Sequence, residues 1–356
     1  MKAAVLKEIG KPLIIEELLD PKPKNGEVVV DVIAAPVISY SKDVFSGVRK
    51  YPFLLPMVPG ASAIARVSEL GADATDLKIG DLVYCDPTVR ARDKIISPDI
   101  MLQGWIAPTE GAKILQRNFP NGSFAERMLV PMENVVKLNL DNLKIDPAKL
   151  CIIGAFLVPY GGLLASGLQP GETVLINGAS GHFGSFGIAV ALAMGAGIIV
   201  APSRNKAALS ELSKKYGSRV RTVLTTGNEA EDTQKMKDAA NGVIDRVIDI
   251  LPPMGSSSPT KAAAMSVRFN GTIVLMGGLD TDLNLPYKHL MRNSITVRGQ
   301  YMYSRESIVS LLSLIRSELL PVDIFNIHDF KLENINEAVD YAFNHTGLLS
   351  MTIVKP

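Results

Sequence analysis

The sequence predicts an α/β chain in two parts, a β-rich region and a doubly wound parallel sheet. Three observations predict it. The chain has 356 residues, which at about 150 residues per domain suggests two domains. Its first 135 residues or so read as short apolar strands between turn signals. After about residue 150, strand and helix patterns alternate, as they do when crossover helices connect parallel strands.

In the first part, strands are expected at Gly26–Ile33, at Ala63–Val67 and, after Gly80, at Asp81–Tyr84. Residues 86–122 differ: they are polar and carry Pro87, Pro98, Pro108, Pro120 and Trp105. They read as a long loop excursion of the functional or mobile kind. In the second part, Thr173–Asn177 reads as a strand, Gly184–Met194 as a helix and Gly197–Ala201 as the next strand. Lys206–Tyr216 reads as an amphipathic helix, and Val243–Asp249 and Gly271–Met276 as further strands. The tail holds a helix at Ile308–Leu319, a helical pattern at Leu332–Phe343 and a closing strand at Ser350–Val354.

Composition narrows the function. Lys and Arg number 37 against 36 Asp and Glu, so there is no bulk positive field and nucleic acid is not an expected partner. The 47% hydrophobic fraction supplies a full core. Cys85 and Cys151 can build neither a disulfide framework nor a four-thiolate zinc site. Lys7 and Glu8 interrupt the N-terminus before any secretory apolar run, so a cytoplasmic location is expected. Residues 173–203 contain no Asp, Glu, Lys or Arg. Their six glycines, with Asn177, Ser180, His182 and Ser185, favour a buried strand–turn–helix–strand over a membrane span.

That apolar run carries the clearest motif. Gly178, Gly181 and Gly184 join the strand to the helix at spacings of three, with Ala179, Ser180, His182 and Phe183 between them. Such a turn brings backbone close to a pyrophosphate and lays it on the helix N-terminus. The spacing departs from the strict G-x-G-x-x-G, but a strand precedes it and a helix and strand follow. An NAD site places Asp or Glu at the end of the second strand. Here Ala201–Lys206 contains no carboxylate, while Ser203, Arg204 and Lys206 suit a 2′-phosphate, so NADP(H) is the expected cofactor.

From here the chain resembles the medium-chain dehydrogenase/reductase superfamily of alcohol dehydrogenases and quinone or enoyl reductases. The segments MKAAVL, GEVVVDV, LPMVPGASAIARV, LKIGDLVY, GSFAERMLVP, LQPGETVLINGASGHFG, GTIVLMGG, LMRNSITVRG and FKLENINEAVDYA follow the family's order over nearly the whole length. The resemblance implies a GroES-like catalytic domain at 1–155 and 304–356 around a Rossmann domain at 156–303. It implies nicotinamide-dependent redox chemistry and a dimer or tetramer, of which a homodimer is expected here. It also implies that Gly277-Gly278-Leu279 and Gly299-Gln300-Tyr301 line the nicotinamide, with Val158 in place of a contacting Thr.

The departures set the expected chemistry. Ile38, Ala61, Ser62 and Gly154 stand where zinc members carry metal ligands, and Cys151 lies three positions from the last of these. None of those four supplies a thiolate, imidazole or carboxylate, so no metal is expected. Tyr40, two residues after the first lost ligand, is the leading proton donor, with Ser39, Ser41 and Tyr51 as alternatives. Lys42 and Asp43 either tune the local charge or lie on the surface. Trp105 either caps the cleft or anchors packing, and His182 is expected to be a solvent-facing loop residue. His289, His328 and His345 are isolated. The expected function is zinc-independent, NADPH-dependent reduction of an activated C=C bond or quinone. The alternatives are a zinc-free carbonyl reductase or alcohol dehydrogenase, and a non-catalytic NADPH-binding protein.

Overall fold

A computed structural model, describing residues 1–94, 96–140, 143–345 and 348–356, divides the chain into two compact units. The first comprises Met1–Gly154 and most of the chain from Val322 onward; the second is built on Ala155–Pro321.

The first unit opens with the hairpin β1 (Lys2–Val5) and β2 (Ile14–Glu17). The long strand β3 (Glu27–Val37) follows, then the one-turn helix α1 (Ser41–Phe45). Strands β4 (Ala63–Leu70) and β5 (Leu82–Cys85) continue the sheet. Val28, Val29, Val30 and Val32 are all buried while Asp31 stays exposed, so both faces of this part of β3 are covered.

The excursion expected at 86–122 is a folded lobe. Its elements are β6 (Thr88–Arg90), β7 (Ile100–Leu102) and α2 (Glu110–Asn118). Val89, Met101, Ala107, Ala112 and Phe119 form its own apolar core. Buried Gln103 donates to the carbonyls of Asn121 and Leu129, both at 2.8 Å, and so ties the lobe to its base. The many prolines and polar residues disguised a core of few, widely spaced apolar positions. Strands β8 (Arg127–Pro131) and β9 (Val135–Lys137) then return to the main sheet.

The second unit begins within α3 (Ile152–Ser166), followed by β10 (Thr173–Asn177), α4 (His182–Ala193) and β11 (Ile198–Ser203). Next come α5 (Lys206–Tyr216), β12 (Val220–Leu224), α6 (Glu229–Ala239) and β13 (Arg246–Asp249). Helix α7 (Ser258–Ser266), β14 (Thr272–Leu275), α8 (Tyr287–Arg292), β15 (Thr296–Gly299) and α9 (Arg305–Arg316) complete it. All neighbouring strands are parallel, in the order β12-β11-β10-β13-β14-β15. The order reverses between β10 and β13, which places a ligand crevice at their C-terminal ends. The charge-free run 173–203 is β10, α4 and β11 inside this sheet. One segment, Pro147–Ser166, is long and apolar enough to cross a membrane; 72% of its apolar window is buried inside the protein.

The chain then re-enters the first unit with β16 (Asn326–Lys331), α10 (Ile335–Asn344) and β17 (Ser350–Lys355). Strand β17 lies between β16 and β3 in the sheet β16-β17-β3-β4-β5-β9, and β8 also pairs with β3.

Charge holds both ends of the β10–β13 pair. At the N-terminal end, Arg246 forks onto both oxygens of Glu172 at 2.9 Å. At the C-terminal end, buried Asp249 accepts from Asn177 at 2.6 Å and Thr260 at 3.1 Å. Burial outweighs those bonds and pushes the Asp249 carboxyl up to about 6. His182 opens α4 against Phe183 and Phe186, with ring centroids 5.0 and 5.1 Å away. His182 is half-buried, and its pKa falls to about 4 because burial disfavours the imidazolium.

The two groups act on stability with opposite sign. Asp249 binds more protons folded than unfolded between about pH 4 and 6, so its contribution is lost as pH rises. His182 binds fewer protons folded between about pH 4 and 6.5, so its contribution is lost as pH falls. Unfolding free energy measured by denaturant between pH 4 and 6.5 should therefore fall less steeply with acidification in His182→Gln. It should fall more steeply in Asp249→Asn, each by on the order of 1–3 kcal/mol across the window. Parallel curves for all three proteins would show that neither group is buried as described.

Candidate active site

The glycine turn is shaped by close approach. Gly178 has φ +101°, and a Cβ at Gly184 would lie 2.0 Å from the Gly178 carbonyl oxygen. The first turn of α4 thus rests on the end of β10, and only glycine fits there. Gly181 is the N-cap, and no side chain caps the helix. Its first-turn N–H groups therefore remain available to an anion, reinforced by the dipole of a 12-residue helix. These residues fit the pyrophosphate of a dinucleotide.

At the adjacent strand end, Ser203 and Ser180 hydroxyls bond each other at 2.6 Å, and Ser203 accepts from the Asn205 N–H at 3.0 Å. Ser203 thus locks the turn to β11. Arg204 and Lys206 are exposed, and the Asn205 side chain caps α5 through the Ala208 N–H at 3.1 Å. The cations stand beside a capped helix start, where a 2′-phosphate would complement them.

Gly277 and Gly278 pack on the chain after β13, and the Gly278 N–H donates to the Leu251 carbonyl at 2.8 Å. A Cβ at Gly277 would meet Leu251 O at 2.6 Å and Asp249 Oδ2 at 3.3 Å. Leu279 is half-buried, Gly299 and Tyr301 are exposed, and Gln300 donates to the Met302 carbonyl at 3.2 Å. Asp249 therefore touches the glycine turn's strand, α7 and the Gly277 turn together. Sequence reading missed it; its one signal was a carboxylate ending an apolar strand. Val158 is half-buried within α3.

In the first unit, Tyr40 is the N-cap residue of α1 and lies in an aromatic cluster. Its ring centroid is 5.7 Å from Trp105 and 6.3 Å from Tyr51, edge to face. Trp105 also contacts Phe45 at 6.0 Å and is 4% exposed, which makes it a packing anchor. The Tyr40 hydroxyl hydrogen-bonds Tyr51 and accepts from the Trp105 indole, and burial raises its pKa above that of a free phenol. Two of the expected donors, Tyr40 and Tyr51, are thus one hydrogen-bonded pair. Ser41 is not available: it is buried, and its hydroxyl donates to the Ile38 carbonyl at 2.7 Å. Ser39 is half-buried beside Tyr40. Lys42 points away and pairs with Asp340 at 2.8 Å, whereas Asp43 faces Arg49 at 3.7 Å.

The positions of the lost ligands do not fit zinc. A Cβ at Gly154 would lie 3.3 Å from both Ser62 Oγ and Tyr84 Oη, so hydroxyls converge there. Cys151 is buried and its thiol is pushed up to about 12, as is that of Cys85. The hydroxyls and the aliphatic side chains at these positions are not zinc donors at neutral pH. Among the described residues, no three His, Cys, Asp or Glu side chains come together. His289, His328 and His345 stand apart from these positions in sequence and join no such group.

Two family models match the chain: an alcohol dehydrogenase GroES-like domain over residues 24–140 and a zinc-binding dehydrogenase domain over 183–317. An alcohol dehydrogenase of Geobacillus stearothermophilus is 26% identical over 353 residues, covering 96% of this chain and 95% of its own. An acryloyl-coenzyme A reductase of Metallosphaera sedula is 29% identical over 358 residues, covering 96% of each. The fold matches an alcohol dehydrogenase from Thermus sp. ATN1 with TM-score 0.81 and 22% identity over 100% of both chains. It matches a putative zinc-binding dehydrogenase from Sinorhizobium meliloti bound to NADP with TM-score 0.79 and 18% identity, over 100% of this chain and 99% of that one. With its GroES-like β-rich unit and Rossmann-type parallel sheet, the chain belongs to the medium-chain dehydrogenase/reductase superfamily as an NAD(P)(H)-dependent oxidoreductase, one with no identifiable catalytic metal site among its described residues.

Proposed function

We propose that this protein is a metal-independent, NADPH-dependent carbonyl reductase, or in reverse an alcohol dehydrogenase, acting on a small molecule. The observation that carries the reading is the Tyr40 hydroxyl, hydrogen-bonded to Tyr51 and Trp105 within an edge-to-face aromatic cluster. When bound, the nicotinamide supplies the hydride. Tyr40 supplies the proton, which passes from Oη to the substrate oxygen as that oxygen gains the electron pair of the broken C=O π bond. An alkoxide is more basic than phenolate and takes a proton even from a phenol of raised pKa. A hydroquinone anion is itself a phenolate and gains little. The buried donor therefore favours a carbonyl over the quinone expected from the sequence.

The alcohol dehydrogenases among the relatives support the same choice. A second reading, reduction of an activated C=C bond, is favoured by the 29% identity to an acryloyl-coenzyme A reductase. Product analysis on an enone separates the two: an allylic alcohol is expected, and a saturated ketone would replace this reading with the second. Tyr40→Phe keeps the ring and should lower kcat by roughly 10²–10⁴ more than it raises KM. Turnover should survive exhaustive chelation, and a strict zinc requirement would overturn the metal-independent mechanism.

Ser203, Arg204 and Lys206, with no carboxylate between Ala201 and Lys206, support NADPH over NADH. Arg204→Ala should weaken NADPH binding by about 1.5–3 kcal/mol and leave NADH nearly unchanged. Equal losses for both cofactors would assign Arg204 to the pyrophosphate or the fold.

The open edge strand β15 is exposed along its length, and Tyr287, Met291 and Val297 expose apolar surface on α8 and β15. Those features support pairing with a second copy through this edge. Sedimentation should give a dimer that Val297→Lys shifts toward monomer; an unshifted dimer would move the interface elsewhere.

A further inference from the structure

Arg49 has no place in the chemistry above, yet it sits on its proton donor. Its guanidinium carbon lies 4.0 Å from the Tyr40 ring centroid. A tight reversal puts it there. Gly47, at φ +82°, ends the one-turn helix α1, and the Arg49 N–H returns to the Asp43 carbonyl at 2.9 Å. The side chain is only 18% exposed, and its ion-pair contact, Asp43 Oδ2, stands 3.7 Å from Nε, beyond hydrogen-bonding distance. No side-chain hydrogen bond links the guanidinium to any acceptor among the described residues.

A guanidinium carries five N–H donors in a rigid fork, and leaving them unmade in a largely desolvated place is costly. Stacking on a phenol and a distant carboxylate offset only part of that cost. A planar carboxylate accepts two parallel N–H bonds from the fork, which is the complement this side chain lacks. Asp43 opposes any anion, but its contact is with Nε, which leaves the two terminal nitrogens unengaged. Because the guanidinium stacks on the ring that carries the donor hydroxyl, the cation and the proton donor share one surface only a few ångström across. A ligand bridging both must carry its anionic group close to its reducible oxygen.

We propose that Arg49 binds a carboxylate and that the substrate is a short oxo acid, its carboxylate on the Arg49 guanidinium and its carbonyl oxygen on the Tyr40 hydroxyl. The oxo-acid half rests on the carbonyl-reductase reading; the carboxylate half stands without it.

The chain's single tryptophan, Trp105, packs on both Tyr40 and Tyr51, so its emission reports occupancy without any turnover. The full-length protein, with and without NADP⁺, is titrated with benzoate and with its neutral isostere benzamide. Benzoate should perturb the emission saturably and at least about tenfold more tightly than benzamide. Arg49→Met should abolish the difference, Arg49→Lys should restore part of it, and Asp43→Asn should tighten benzoate further. Equal affinities in the wild type, or a benzoate preference that survives Arg49→Met, would overturn the carboxylate site. Far-UV circular dichroism guards against misfolding, and Asp43→Asn tests the same charge if Arg49→Met does not fold. In a second arm, kcat/KM is compared for an oxo acid and its amide. The acid should lead by roughly 10- to 100-fold and lose that lead in Arg49→Met. Benzoate binding with no reduction of either carbonyl would reject the carbonyl-reductase reading and keep the carboxylate site; reduction of both at equal rates would do the reverse.

Discussion

The contact between Gly184 and the Gly178 carbonyl governs the second unit. A helix laid on a strand end with no intervening side chain fixes where its first N–H groups point. The neighbouring bonds depend on that placement. Ser180 meets Ser203 across the turn, and Asn177, one residue before Gly178, meets Asp249 and binds the first strand of the sheet to the fourth. Even alanine at 184 would drive a methyl carbon into a carbonyl oxygen, and the turn, the serine pair and the crevice would all have to move.

The first unit solves a different problem. A zinc-bound oxygen needs charged donors gathered at one point, and this chain has replaced them with uncharged groups at Ile38, Ser62 and Gly154. What remains is a phenol pair roofed by an indole, in which burial rather than charge sets the protonation state. In the proposed reaction such a site would hold its proton until a strong base forms beside it, so the choice of substrate would be part of the acid–base design.

Much of the fold was legible in the sequence because parallel strands buried on both faces read as apolar runs, and Lys206–Tyr216 carries a clean helical period that the structure reproduces. Helix α3 escaped because it is apolar on all sides and contains Pro159, so it shows no period. Helix α6 escaped for the opposite reason, being polar nearly throughout. The sheet's β12 and β15 were missed because one is only partly buried and the other exposed. At the site, the glycine turn was legible because backbone sterics demand glycine. The pairing of Tyr40 with Tyr51 and Trp105 was not, since Trp105 lies 65 residues from Tyr40 in a lobe whose fold left no periodic trace. Ser41 looked as suitable as Ser39; only the reversal into α1 turns its hydroxyl back onto Ile38.

Strand β17 follows the second unit in the chain, yet it is an interior strand of the first unit's sheet, bonded to β16 on one side and to β3 on the other. The six strands of the second unit's sheet, β10 to β15, all precede β17 in the chain. Synthesis therefore reverses the usual order in which N-terminal domains finish first. The middle of the chain can complete its sheet while Ala35–Val37 waits with an open edge. A chain stalled or clipped before Ser350 would carry the strands of the nucleotide fold beside an unclosed β edge, and quality control would meet that edge first.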